Sequence, residues 1–192
     1  MSKMFTSSSG AYGFIVGTGI VMSLLWALSV MADDGEGMYH IGRPATNADI
    51  QVWDIAISPT GEGLPPGQGT VSRGADVYAA KCAGCHGPTG TEGPMTKLVG
   101  GERTLATDKP IKTIGSYWPY ATTLFDYIYR AMPYTAPQSL TPDEIYSVIA
   151  WLLHRNGIVP EDTVIDANTL PRIHMPNQEG FVSDPRPDVA QP

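Results

Sequence analysis

The sequence has 192 residues, which is enough for one domain with extensions. It contains 21 glycines and 17 prolines, and only 16% of its residues are charged, so few long regular elements are expected. The net charge of -7 argues against a nucleic-acid partner, because such a partner requires a basic face.

An uncharged apolar run extends from Ala11 to Ala32. A helix of that length spans roughly 33 Å, enough to cross a bilayer. Lys3 precedes the run and acidic residues follow it, which favours an N-terminus in the cytoplasm and a domain on the periplasmic side. We therefore predict a transmembrane anchor in residues 1–32. The alternative is a signal peptide cleaved after Val30-Met31-Ala32, which would leave a soluble periplasmic protein.

The small residues Ser9, Gly13 and Gly17 recur at every fourth position, so they share one face of this predicted helix. Such a face permits close contact with another membrane helix. A helix partner there is a further expectation.

Residues 33–70 are rich in proline and glycine and predict an irregular extension that packs on the following domain. Within it, the alternation from Ile50 to Ile57 predicts one short strand or extended segment. Trp53 and Ile55 are the expected contact points. The segment is interpreted as a surface strap rather than a substrate site.

Ser72 to Lys81 predicts a helix with Ser72 as its N-cap. Gly74 in this helix predicts that another helix passes close by. The expected partner is Thr141–Arg155, which begins with a Thr cap and a proline and has a buried stripe. A third helix is predicted over Trp118–Ala131.

The first helix leads into Cys82-Ala83-Gly84-Cys85-His86, which contains the only two cysteines of the chain. This is the c-type haem attachment pattern, in which Cys82 and Cys85 form thioethers and His86 is the proximal iron ligand. One covalent haem is therefore expected. A thioredoxin-like redox pair would need a strand–helix pattern that is not evident in this sequence.

A structural zinc site is the other alternative for these cysteines. It needs four ligands, so two of His40, His154 and His174 would have to converge on the cysteine pair. We expect the proximal His86 to donate its other ring N–H to a backbone acceptor, with the Pro94 carbonyl as the candidate.

Met132 is the predicted distal iron ligand because it ends the third predicted helix and precedes Pro133. Met175, His174 and His154 are the alternatives, and Met95 is too close to the attachment motif. Ligation by His and Met leaves no vacant position, so the protein is expected to carry single electrons and not to be an enzyme itself. A haem enzyme or sensor with an open distal position is the less favoured interpretation.

The CAGCH unit with its helix, the AMPY loop and the LTPDEIYSVIAWLL helix together resemble a class I cytochrome c over residues 71–157. The resemblance implies an all-α fold with three main helices around one haem. Residues 158–192 form a long, irregular and extended C-terminal tail in this interpretation.

The segments on both sides, IGRPATNADIQVWDIAISPTGEGLPPGQG and NGIVPEDTVIDANTLPRIHMPNQEGF, resemble SoxD-type cytochrome subunits. Such subunits accompany molybdenum enzymes of the sulfite-oxidase family in sulfur-oxidising bacteria. The resemblance implies an electron-accepting subunit of a sulfite or sulfane dehydrogenase, which passes electrons to another cytochrome or an oxidase. The alternative is a membrane-tethered respiratory cytochrome between a bc-type complex and a terminal oxidase.

Overall fold

The structure is a computed structural model that describes residues 41–186. The predicted anchor over Ala11–Ala32, the Ser9, Gly13 and Gly17 face, and His40 lie outside the described residues. Within residues 41–186, no helix is long and apolar enough to span a membrane. The chain divides into two units, the first ending at Trp53 and the second beginning at Asp54.

The described part of the first unit contains one helix, α1, at Asn47–Trp53. The strand predicted from Ile50 to Ile57 is therefore wrong. A local capping arrangement explains the difference, because Thr46 and Asp49 exchange hydrogen bonds across the first turn. Arg43 pairs with the same Asp49 carboxylate at 2.6 Å and lowers its pKa well below the usual range. These contacts favour a helix over the strand that the apolar alternation predicted.

The second unit is mostly helical and includes a small sheet. Its elements are β1 (Gln68–Thr70), α2 (Val71–Lys81), α3 (Ala83–His86), α4 (Ala121–Ala131), α5 (Pro142–Arg155), β2 (Val164–Asp166), and 3₁₀ helices at Leu170–Arg172 and Gln178–Gly180. The three main helices agree with the prediction. The small sheet was not predicted. In it, β1 and β2 pair antiparallel, with Gly69 opposite Ile165. The two extensions are thus joined by strand pairing that an all-α interpretation omits.

Helix α2 crosses α5 in close contact, as Gly74 predicted. A Cβ atom at Gly74 would lie 1.9 Å from the Ser147 carbonyl oxygen, so only glycine allows this approach. Beside the crossing, Tyr78 stacks on Trp151 with ring centroids 3.9 Å apart. The N-cap is Thr70 rather than Ser72, and its side chain accepts a hydrogen bond from the backbone of Arg73.

Helix α5 forms the centre of the core. Thr141 and Glu144 form a complete capping box at its start, and Pro142 occupies the first turn. The hydrogen bond from the Thr141 backbone is the main cause of a lowered Glu144 pKa. The predicted apolar stripe is confirmed, since each of its members is at most 2% exposed: Ile145, Val148, Ile149, Leu152 and Leu153. Each such side chain contributes about 1.5–3 kcal/mol through burial.

Residues 54–67 form a strap that is tied to side chains of α4 and α5. The buried Asp126 carboxylate accepts the Ile57 backbone N–H at 2.9 Å and pairs with Arg130. The Thr122 hydroxyl donates to the Pro59 carbonyl at 3.0 Å. Residues 54–67 of the predicted strap are therefore held by α4, and Ile55 among them is half-buried. Trp53, the other expected contact point, belongs to the first unit.

The tail after α5 belongs to the core. Ile165, Leu170 and Met175 are each 0% exposed. The Asn177 side-chain amide donates to the Tyr117 carbonyl at 2.9 Å. The tail is therefore not wholly irregular, because it contains β2 and two 3₁₀ helices and is fixed by three buried side chains.

Candidate haem site

Both cysteines lie where α2 ends and the single turn of α3 begins. The Cys82 N–H bonds to the Tyr78 carbonyl, and the Cys82 carbonyl accepts from Cys85 and His86 at 3.1 and 3.0 Å. This turn therefore holds Cys82, Cys85 and His86 together. The two cysteines form no disulfide, and Cys82 is half-buried whereas Cys85 is exposed. Burial is the main reason that the pKa of Cys82 is raised to about 11.

A thiol with a raised pKa is a poor nucleophile at neutral pH, which does not favour a thioredoxin-like pair. In the part of the chain that the structure describes, no group of three or more His, Cys, Asp and Glu side chains could hold a metal ion. The zinc alternative therefore receives no support there.

His86 is oriented by a hydrogen bond on one ring nitrogen. Its Nδ1 lies 2.8 Å from the carbonyl oxygen of Thr96, which takes the place of the expected Pro94 carbonyl as its partner. A carbonyl can only accept, so Nδ1 carries the proton and Nε2 keeps its lone pair for a metal. The ring is half-buried. The sequence did not identify Thr96, because nothing in the local pattern distinguishes its carbonyl from that of Pro94.

The loop after His86 packs tightly against the motif. A Cβ atom at Gly93 would lie 2.1 Å from the Cys85 carbonyl oxygen. That same oxygen accepts the Met95 N–H at 3.1 Å. The buried Tyr78 hydroxyl donates to the Gly87 carbonyl at 2.8 Å, and burial raises its pKa to about 12. The His86 backbone is therefore fixed from both sides.

Met132 follows the last residue of α4. Its N–H bonds to the Ile128 carbonyl at 3.1 Å, and its backbone is extended. The Met132–Pro133 peptide bond is cis. The side chain is half-buried and packs against the core. Leu124 and Ile128 of the same helix are buried, so Met132 is attached to a well-fixed helix end.

Among the other predicted candidates for the distal ligand, the structure argues most directly against Met175. Met175 is 0% exposed in the protein core, so its sulfur is already enclosed by protein. His174 is exposed, and its backbone pairs with Tyr120. The Nδ1 atom of His154 lies 3.2 Å from the Val159 carbonyl. Met95 is 58% exposed.

The donor set fits a covalently attached haem. Two thiols lie one helical turn apart, next to an imidazole whose Nε2 is available, and a half-buried thioether follows α4. Thioether-forming cysteines with His and Met ligands are the donors that c-type haems use.

Comparison with known proteins agrees with this donor set. Residues 69–152 match the family described as cytochrome C oxidase, cbb3-type, subunit III. A chain in the crystal structure of the sulfane dehydrogenase SoxCD from Paracoccus pantotrophus is 42% identical, with a TM-score of 0.71, over 77% of this chain and 73% of that chain. The chain belongs to the SoxD-type cytochromes c. The search of curated proteins found no match.

Membership in this family makes the protein an electron carrier that contains haem c. The likeness to the SoxCD chain extends beyond the 69–152 segment. This SoxD-type cytochrome therefore resembles its relative in the extensions as well as in the haem domain.

Proposed function

We propose that this SoxD-type cytochrome carries a single haem c and passes electrons one at a time. Cys82 and Cys85 are the attachment residues, and His86 and Met132 are the axial ligands. A haem c ligated by His and Met supplies a one-electron couple. The observation that supports this assignment most directly is the His86–Thr96 hydrogen bond. It fixes the ring and leaves the Nε2 lone pair available to bind iron.

The protein's own groups then have distinct roles. The cysteines at the end of α2 would hold the haem through thioether bonds, and the Thr96 carbonyl fixes the ring plane and tautomer of His86. Its hydrogen bond also makes the imidazole a stronger donor. Met132, held at the end of α4, would supply the second iron ligand and leave no iron position for a small ligand.

We further propose that the cytochrome is the electron-accepting subunit of a sulfane or sulfite dehydrogenase on the periplasmic side of the membrane. Its donor would be a molybdenum-containing catalytic subunit, and its acceptor another cytochrome or an oxidase. The 42% identity to a chain of SoxCD supports this proposal. Attachment to the membrane through residues 11–32, or release after cleavage, belongs to the same proposal.

A second candidate is a respiratory cytochrome that works with a bc-type complex and a terminal oxidase. The match of residues 69–152 to a cbb3-type oxidase subunit family favours it. The first candidate is preferred because the SoxCD likeness extends over 77% of the chain.

Purification of the native protein with its partners distinguishes the two candidates. We expect a molybdenum-containing subunit to copurify and the haem to be reduced when a sulfane or sulfite substrate is added. Recovery of oxidase subunits alone, without reduction by either sulfur substrate, would contradict the dehydrogenase proposal.

Replacement of the distal ligand tests the closed site. Met132→Ala should allow the reduced protein to bind carbon monoxide, which the wild type should not bind readily. The matched control is Met95→Ala, because Met95 is 58% exposed and should leave the absorption spectrum unchanged. Ready binding of carbon monoxide by the wild type would refute ligation by Met132.

A further inference from the structure

A buried asparagine at the end of α5 makes three hydrogen bonds. Asn156 is the C-cap of α5 and is only 6% exposed. Its Oδ1 accepts the Gly100 N–H at 3.1 Å, and its Nδ2 donates to the carbonyls of Leu98 and Leu152 at 3.2 and 2.8 Å. Two carbonyl partners and one N–H partner fix the orientation of the amide. Asn156 therefore joins the most buried helix to the loop at residues 98–100.

The acceptor of the His86 ring lies two positions before this loop, at Thr96. Leu98 is fixed at both ends, because its N–H bonds to the Gly90 carbonyl at 2.8 Å and its carbonyl accepts from Asn156. Only one residue, the exposed Lys97, separates Leu98 from Thr96. The Thr96 carbonyl, 2.8 Å from His86 Nδ1, thus lies two positions before the Leu98 carbonyl that Asn156 contacts.

The Asn156 amide is also closely packed on the side that faces Gly115. A Cβ atom at Gly115 would lie 2.4 Å from Asn156 Oδ1, so the Gly115 backbone lies directly against the amide. The neighbouring Thr113 and Ser116 are also buried, and Thr113 donates to the Gly100 carbonyl. No buried side-chain N or O atom in the described residues lacks a partner. A fully satisfied buried network of this kind holds its members rigidly.

We propose that Asn156 is a positioning residue for the iron ligand His86, acting through Leu98 and the Thr96 carbonyl. The inference rests on the proposed function, in which His86 binds the haem iron. Asn156 touches neither His86 nor the haem in this proposal. Its role is to keep the Thr96 carbonyl at hydrogen-bonding distance from Nδ1.

The electronic consequence has a definite sign. A hydrogen bond from Nδ1–H to a carbonyl increases the donor strength of the ring. A stronger donor stabilises ferric iron more than ferrous iron and so lowers the reduction potential. When the Thr96 carbonyl is no longer held, the bond lengthens, the ring becomes a weaker donor and the potential rises.

The test compares Asn156→Ala with Asn168→Ala in the haem-loaded protein. Asn168 is exposed in the tail, so it controls for loss of an asparagine side chain without change of charge. Loss of the three bonds should open the loop more often, and we expect exchange of the His86 ring N–H with solvent to become roughly tenfold faster or more, measured by NMR. The potential of Asn156→Ala should rise, and that of Asn168→Ala should equal the wild type.

Wild-type behaviour provides a second measurement that does not depend on whether the variant folds. If the proposal is right, the ring N–H of His86 and the amide of Gly100 open with the same free energy in native-state exchange. Opening of the two groups with different free energies would overturn the positioning role. So would an Asn156→Ala variant whose His86 ring N–H exchanges at the wild-type rate and whose reduction potential is unchanged or lower. Failure of the proposed function itself is distinguished by the wild-type spectrum, which would then lack His and Met ligation.

Discussion

Replacement of Gly74 by alanine tests how the two terminal helices of the haem domain pack. A Cβ atom at this position would lie 1.9 Å from the Ser147 carbonyl oxygen and 2.7 Å from Trp151 Cβ. Carbon and carbonyl oxygen atoms normally approach to about 3.3 Å, so the helices would have to separate by roughly 1.4 Å. The nearest obstructing atom is helix backbone, which cannot rotate away as a side chain could.

Two opposing effects set the magnitude. Alanine in a helix interior is more favourable than glycine by about 1 kcal/mol. Overpacking a well-packed contact costs about 1–3 kcal/mol, and occasionally more. Because backbone meets backbone at Gly74, we expect a cost at or above the upper end of that range. The net loss in free energy of unfolding should then be about 2 kcal/mol or more, or a fall in Tm of about 4–8 °C.

The assay is urea unfolding of the haem-loaded protein, followed by far-UV circular dichroism. Ala80→Gly is the matched control, because Ala80 is exposed in the same helix and reports helix propensity alone. It should lose about 1 kcal/mol. If Gly74→Ala were as stable as the wild type or more stable, the gain in helix propensity would equal or exceed the cost of overpacking. The close crossing of α2 and α5 would then be refuted.

Three other changes test the haem loop, the tail and the capping box. Gly93→Ala should destabilise the protein by about 1–3 kcal/mol in urea unfolding, because its Cβ would lie 2.1 Å from the Cys85 backbone oxygen. Gly84→Ala is the control and should leave the stability unchanged, because its Cβ would have nothing within 4 Å. Met175→Ala should lower the free energy of unfolding by about 2–5 kcal/mol without changing the visible spectrum, whereas the exposed Met95→Ala should change neither. Acidification should destabilise the wild type more than Glu144→Gln in urea unfolding followed against pH.

The sign of the pH effect follows from the lowered pKa of Glu144. A carboxylate whose pKa falls on folding contributes stability above its unfolded value of 4.5, and that stability is lost as pH falls through the folded value. Parallel pH profiles for the wild type and Glu144→Gln would contradict a stabilising capping box. For Met175→Ala, a changed axial-ligand spectrum would show that this sulfur contacts iron and not the core.

Local signals predicted the haem motif and the three main helices. Thr141 and Pro142 mark the start of α5 through capping and backbone preference, and such short-range effects are readable from the sequence. Gly74 also predicted a long-range contact, because an interior helix glycine is costly unless something needs the space.

Long-range hydrogen bonds account for most of the differences. The pairing of β1 with β2 joins residues about a hundred positions apart, and each strand has only three residues. Such short strands have no periodicity of their own. The Thr96 carbonyl and the Asn156 amide were missed for a related reason. Their roles depend on the path of a loop, which residue types alone do not specify.

The extensions complete the haem domain rather than merely flank it. The segment matched by the family description ends at residue 152, yet the core continues through Ile165, Leu170 and Met175. On the other side, the strap is held by Asp126 and by the Tyr146 hydroxyl, which donates to a strap carbonyl at 2.9 Å. Without strap and tail, α4 and α5 would expose apolar surface and leave these polar groups without their partners. Since α4 ends at the residue before Met132, the extensions stabilise the helix that carries the proposed distal ligand.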